Sequence, residues 1–100
     1  MKTLLIEITI SSGVMAPEEL RRLGSQVAQA LGEETGQTII ISGRMPVWAF
    51  GHLVALAAHT GRRVATFDPR LGAGVIVWPA EEAGQTLPLA GEETRREIVI

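Results

Sequence analysis

Two arginines in this chain stand apart from the others. Arg21-Arg22, Arg62-Arg63 and Arg95-Arg96 come as pairs, whereas Arg44 and Arg70 are single and sit in short turn-like segments beside glycine or proline. A guanidinium is a planar, two-pronged donor suited to phosphate. Around Arg44, Ser42-Gly43-Arg44-Met45 separates a short β-branched run from a helical one opened by Pro46. Such a strand-turn-helix junction aims backbone N–H groups and the positive end of a helix dipole at an anion. Gly43 would let a backbone approach closely. These junctions occur in every α/β fold, so a turn with a solvated arginine is an equally good account. Around Arg70, Asp68-Pro69-Arg70 reads most simply as a hairpin turn whose polar groups satisfy each other or the backbone.

The two histidines lie seven residues apart, which places them on one face of a single helix. His52, amid Phe50, Leu53 and Leu56, is expected in the core or at an interface. His59 falls at the helix end, where a cation is favoured by the carbonyl ends of the helix. Trp48 and Trp78 could stack on bases, although single tryptophans on apolar elements are usually packing residues. There is no His-x-x-x-His pair, no clustered carboxylates and no Gly-x-Ser-x-Gly.

The elements that must carry these residues follow from periodicity. Leu4, Ile6, Ile8 and Ile10 alternate with Leu5, Glu7 and Thr9, which predicts a strand with one face more exposed. Pro17 suits a first helical turn, and Leu20, Leu23, Val27 and Leu31 form its apolar stripe. Thr38 to Ile41 is apolar on both faces, as a central strand would be. A second helix, Val47 to about Ala58, is apolar nearly all round and calls for cover on more than one side. Val64–Phe67 and Val75–Trp78 are strands joined by a hairpin, with an edge segment near Leu87 and a final strand at Glu97–Ile100. The order β-α-β-α-β-β with a C-terminal strand predicts a single Rossmann-like α/β domain over residues 1–100. Ligands in such sheets lie at the carboxyl ends of the strands. A right-handed crossover would put Ser42–Arg44 and Asp68–Arg70 at that same pole, so that Arg44 and Arg70 converge on one surface.

Composition narrows the partners. Nine basic and eleven acidic residues give a net charge of −2, unlike a general coater of DNA or RNA. The chain has no cysteine, hence no disulfide and no thiol nucleophile. The start Met1–Ile6 superficially suggests a signal peptide, but Glu7 interrupts its apolar run after three residues, no small-residue cleavage site follows, and no run reaches membrane-spanning length. A cytoplasmic protein is expected.

Two runs in combination are more specific than either alone: Ser42-Gly43-Arg44-Met45-Pro46-Val47-Trp48, and, after His59, Val64-Ala65-Thr66-Phe67-Asp68-Pro69-Arg70-Leu71-Gly72-Ala73-Gly74 continuing through Val77. They resemble the small accessory proteins of type III CRISPR systems, within the CRISPR-associated Rossmann-fold superfamily. That family is described as a ring nuclease for cyclic tetra-adenylate and also as a manganese-dependent deadenylating exoribonuclease. The resemblance implies catalysis by His59, Asp68 and Arg70, and ligand binding by Ser42, Gly43 and Arg44 together with Pro46 and Trp48. It implies Mn2+ as a cofactor and cyclic tetra-adenylate or short adenylate RNA as ligand. It also points towards an active site spanning two dimers, a heterologous contact through which a homodimer would assemble into tetramers or stacks. A non-catalytic sensor of the messenger is the alternative from another class. Met45 departs from the smaller residue expected there, and residues beyond Trp78 carry no resemblance.

A geometric difficulty accompanies these roles. His59 lies about thirteen residues beyond Pro46, roughly 20 Å along a helix axis. That helix runs antiparallel to its strands, so His59 belongs at the pole opposite Asp68 and Arg70. The three residues could meet at one phosphate only across a boundary between molecules.

Overall fold

In a computed structural model, residues 2–100 are described; Met1, the first residue of the signal-like start, lies outside them. The chain forms β1 (Thr3–Thr9), α1 (Leu20–Glu33), β2 (Thr38–Gly43), α2 (Val47–Ala58), β3 (Arg63–Asp68), β4 (Ala73–Trp78), β5 (Thr86–Pro88) and β6 (Thr94–Val99). Short 3-10 turns at Pro17–Glu19 and Ala80–Glu82 precede α1 and β5. The six strands make one sheet in the order β5-β4-β3-β2-β1-β6. Strands β6, β1, β2 and β3 run parallel, while β4 is antiparallel to both of its neighbours.

Both helices bridge adjacent parallel strands in the same direction across the sheet. Right-handed crossovers therefore place α1 and α2 on one face, where they pack on each other and on the sheet. The core on this side contains Leu4, Ile6, Ile39, Ile41 and Val64 from the strands, with Leu23, Val27, Leu31, Leu53 and Ala57 from the helices. On the opposite face, Leu5, Ile40, Ala65 and Ile76 form a smaller core against Phe67, Leu87 and Leu89. No helix covers this face. Instead the segment after β5 crosses it on the way from one sheet edge to the other. Each large side chain buried in this way contributes about 1.5–3 kcal/mol.

Several local expectations need correction. Leu5 is as buried as its neighbours, because β1 is flanked on both sides and carries core residues on both faces. Pro17 opens a 3-10 turn, and the α-helix proper begins at Leu20. Ser42 and Gly43 end β2 rather than belonging to the turn. Ala73 and Gly74 pair with Asp68 and Phe67, so β4 begins earlier than its apolar run. The last strand begins at Thr94 and pairs with β1, which explains why the polar Thr94-Arg95-Arg96 stretch is regular. Arg96 bonds Glu33 and Glu34 at 2.8 and 3.0 Å, tying this edge strand to the end of α1.

Candidate functional site

The topology gives the molecule two poles. Strands β1, β2 and β3 end at one, and α2 starts there. At the other pole α2 ends and β3 begins. Asp68 closes β3 and lies at the first pole, whereas His59 caps α2 at the second. Twelve helical residues separate them, about 18 Å along the axis. Within one copy, His59 does not join Asp68 and Arg70.

At the first pole, Asp68 does what a turn aspartate does. Its Oδ1 accepts the Arg70 backbone N–H at 2.8 Å, and its carbonyl accepts N–H groups of Leu71 and Gly72. The turn thus fixes Asp68 while leaving the Arg70 guanidinium exposed. Among the described residues neither Arg44 nor Arg70 makes an ion pair. By contrast, Arg22, Arg63, Arg95 and Arg96 each pair with a glutamate. Two unneutralised guanidiniums at one pole favour an anion.

They do not converge on one hollow, however. Asp68 and Arg70 border a depression of about 700 Å³ with Val47, Phe50, Thr66 and Val75, between α2 and β4. Arg44 borders another of about 470 Å³ with Pro46 and the Gly13–Met15 loop. Trp48 stands on the first turn of α2, 40% exposed, and lines neither hollow. Arg44 and Arg70 thus border separate hollows at the same pole.

Ser42 is half-buried beside Glu7 in the β1–β2 register. Gly43 is needed for a reason internal to the fold. Its φ is 150°, and a Cβ there would stand 2.5 Å from the Ile8 carbonyl oxygen. The backbone that approaches Gly43 closely is therefore that of β1.

At the second pole, His59 is exposed and its Nδ1 lies 2.9 Å from the Ala55 carbonyl oxygen. A carbonyl can only accept, so Nδ1 carries the proton in this bond. In that tautomer Nε2 is the acceptor nitrogen of the ring. His52 instead packs against α1, where a Cβ at Gly24 would meet its Nε2 at 2.6 Å. It is half-buried and borders an open hollow with Leu20 and Leu56.

Among the described residues no three His, Asp or Glu side chains gather in a metal-holding group. Asp68 is the sole carboxylate of its hollow. Asp68 is the residue of this hollow that would offer oxygen ligands to the Mn2+ implied by resemblance. No helix of the described residues is long and apolar enough to cross a membrane.

Sequence comparisons bear on this arrangement. Residues 8–87 match the family described as CRISPR-associated protein (Cas_csx3), a span that takes in both poles and runs beyond Trp78 into β5. The chain is also 34% identical over 76 residues to an uncharacterized protein of Aquifex aeolicus (strain VF5). That alignment covers 75% of this chain and 65% of the other, so the chain spans just under two thirds of the curated relative's length. No solved structure matches significantly. With four-fifths of its length matched, this α/β domain belongs to the Cas_csx3 family of CRISPR-associated proteins.

Proposed function

We propose that this protein is a ring nuclease. Copies of it hold cyclic tetra-adenylate between unlike poles and open the ring by phosphodiester cleavage, silencing a type III CRISPR messenger. One observation carries the proposal: two unpaired arginines and a turn-fixed aspartate stand at one end of the molecule, and an oriented imidazole stands at the other. The cations suit a ligand with several phosphodiesters and the imidazole suits proton transfer, yet a single copy cannot apply both to one phosphate.

In the sandwich, Arg44 and Arg70 of one copy grip the ring's phosphates, supported by Ser42, Gly43 and the Pro46–Trp48 start of α2. Another copy presents His59. An oxygen nucleophile, either water or the ribose 2′-hydroxyl, forms a bond to phosphorus as the bond to the departing oxygen breaks. Nε2 of His59 takes the proton from the nucleophile or, when protonated, gives one to the departing oxygen. Arg70 offsets charge on the phosphoryl oxygens, and Asp68 holds the Arg70 backbone in place or orients the imidazole across the boundary. A homodimer repeats these contacts on a symmetric ring. Because unlike surfaces meet, dimers can join further into tetramers or stacks.

The test is direct incubation with cyclic tetra-adenylate and linear tetra-adenylate in competition, followed by chromatography, with a chelator and then with added Mn2+. Ring opening in preference to linear trimming is expected. Arg44→Ala should weaken ring binding roughly ten-fold, as loss of one charge-assisted phosphate contact would. Preferential 3′ trimming of the linear chain would make the protein an exoribonuclease instead. A ring recovered intact under every condition would make it a sensor.

A further inference from the structure

Trp78 ends β4 at the His59 pole and is 38% exposed, an uncommon position for a tryptophan on an otherwise apolar strand. It borders a hollow of about 500 Å³. Gln37, Arg62 and Arg63 line the same hollow, as do Glu81 and Glu82. His59 lies two residues before Gly61, which also lines it.

The charges here are organised unlike those at the opposite pole. Arg63 Nε and Glu82 Oε1 pair at 2.9 Å. Arg62 Nη2 donates to the Leu31 and Glu34 carbonyls at 2.9 and 3.3 Å, holding the end of α1. Two arginines and two glutamates leave this hollow without net charge, so it is poorly suited to phosphate. It does hold what a neutral heteroaromatic ring needs. There is a π-face in Trp78 and a side-chain amide in Gln37, which is half of a two-bond match to the amino and N7 groups of adenine. There are also carboxylate acceptors and, in the wall, the buried Arg62 Nη1, which lacks a hydrogen-bond partner. A volume of this size lies within the range of small-molecule sites.

We propose that this hollow is a nucleobase subsite, in which an adenine stacks on Trp78 and is read by Gln37. The inference rests on the adenylate proposal above for its choice of base. Base recognition then sits at the pole that brings the imidazole, and phosphate recognition sits at the pole that brings Arg44 and Arg70. A base seated beside Gly61 sets which phosphate comes under His59.

Only two tryptophans are present, so Trp48→Phe leaves Trp78 as the sole indole reporter. In that variant, AMP should quench Trp78 emission saturably. Ribose 5-phosphate, which lacks the base, should not. UMP should bind more weakly, and Gln37→Ala should narrow the AMP-to-UMP difference. In the full chain, Trp78→Ala should raise KM for cyclic tetra-adenylate about ten-fold or more with kcat little changed, and Trp78→Phe should recover most of the loss. Circular dichroism is the check that each variant folds. Absence of quenching by millimolar AMP, or equal quenching by ribose 5-phosphate, overturns the subsite. These titrations need no ring cleavage. A protein that quenches with AMP but leaves the ring intact keeps the subsite and loses the nuclease. One that opens the ring with Trp78 silent does the reverse.

Discussion

At the scale of single residues, Gly43 separates what a motif contains from why it contains it. Glycine in a Ser-Gly-Arg run suggests a backbone cradle for phosphate, but the nearest obstacle to a side chain is the Ile8 carbonyl oxygen, 2.5 Å from where Cβ would sit. Gly43→Ala should therefore destabilise the protein by about 2–4 kcal/mol, through strain and displaced strand pairing, with no ligand present. Chemical denaturation of the free protein checks this. Unchanged stability would return Gly43 to a purely ligand-binding role. His59 shows the converse. Its type and position were readable from sequence, but the bond to Ala55 that fixes its tautomer depends on a rotamer that no spacing reveals.

At the scale of elements, strands β1, β2 and β3 and both helices were legible because their residue types and periods agree: apolar and β-branched runs for the strands, a 3.6-residue stripe for α1. The ends were less legible. Strand β6 begins with Thr94-Arg95-Arg96, which has no apolar signal of its own. It is regular because it pairs with β1 and because Arg96 bridges to Glu33 and Glu34. The hydrogen bond from Arg96, and secondarily that from Gln29, holds the Glu33 carboxyl below its ordinary range. A carboxylate whose pKa is lower in the folded chain adds stability above its unfolded pKa. That stability is lost as pH falls through the folded value. Arg96→Ala should therefore lower the melting temperature near pH 7, and the gap from the parent protein should shrink in acid. Glu33 is about half exposed and Arg96 about a third exposed, so a drop of a few degrees is expected, and added salt should reduce it. Thermal melts at neutral and acid pH measure it. A gap that widens on acidification would contradict the assignment.

At the scale of the whole molecule, sequence order alone separated His59 from Asp68 and Arg70, because a helix joining parallel strands must return to the starting pole. Arg44 and Arg70 share the pole that strand order assigns them. Strand order fixes the pole, but side-chain direction and the Gly13–Met15 loop decide that they open onto different hollows. The hollow at Trp78 was not legible either, since it joins the start of β2, the turn into β3 and the segment after β4. The separation of poles is what makes assembly part of the chemistry. Its most direct test is to mix folded His59→Ala and Asp68→Ala proteins, each inactive alone, after allowing subunit exchange. Where unlike poles meet, up to roughly a quarter of the interfaces pair an intact His59 with an intact Asp68. Ring-opening activity should reappear in that proportion. Persistent inactivity of the exchanged mixture would contradict a site shared between copies.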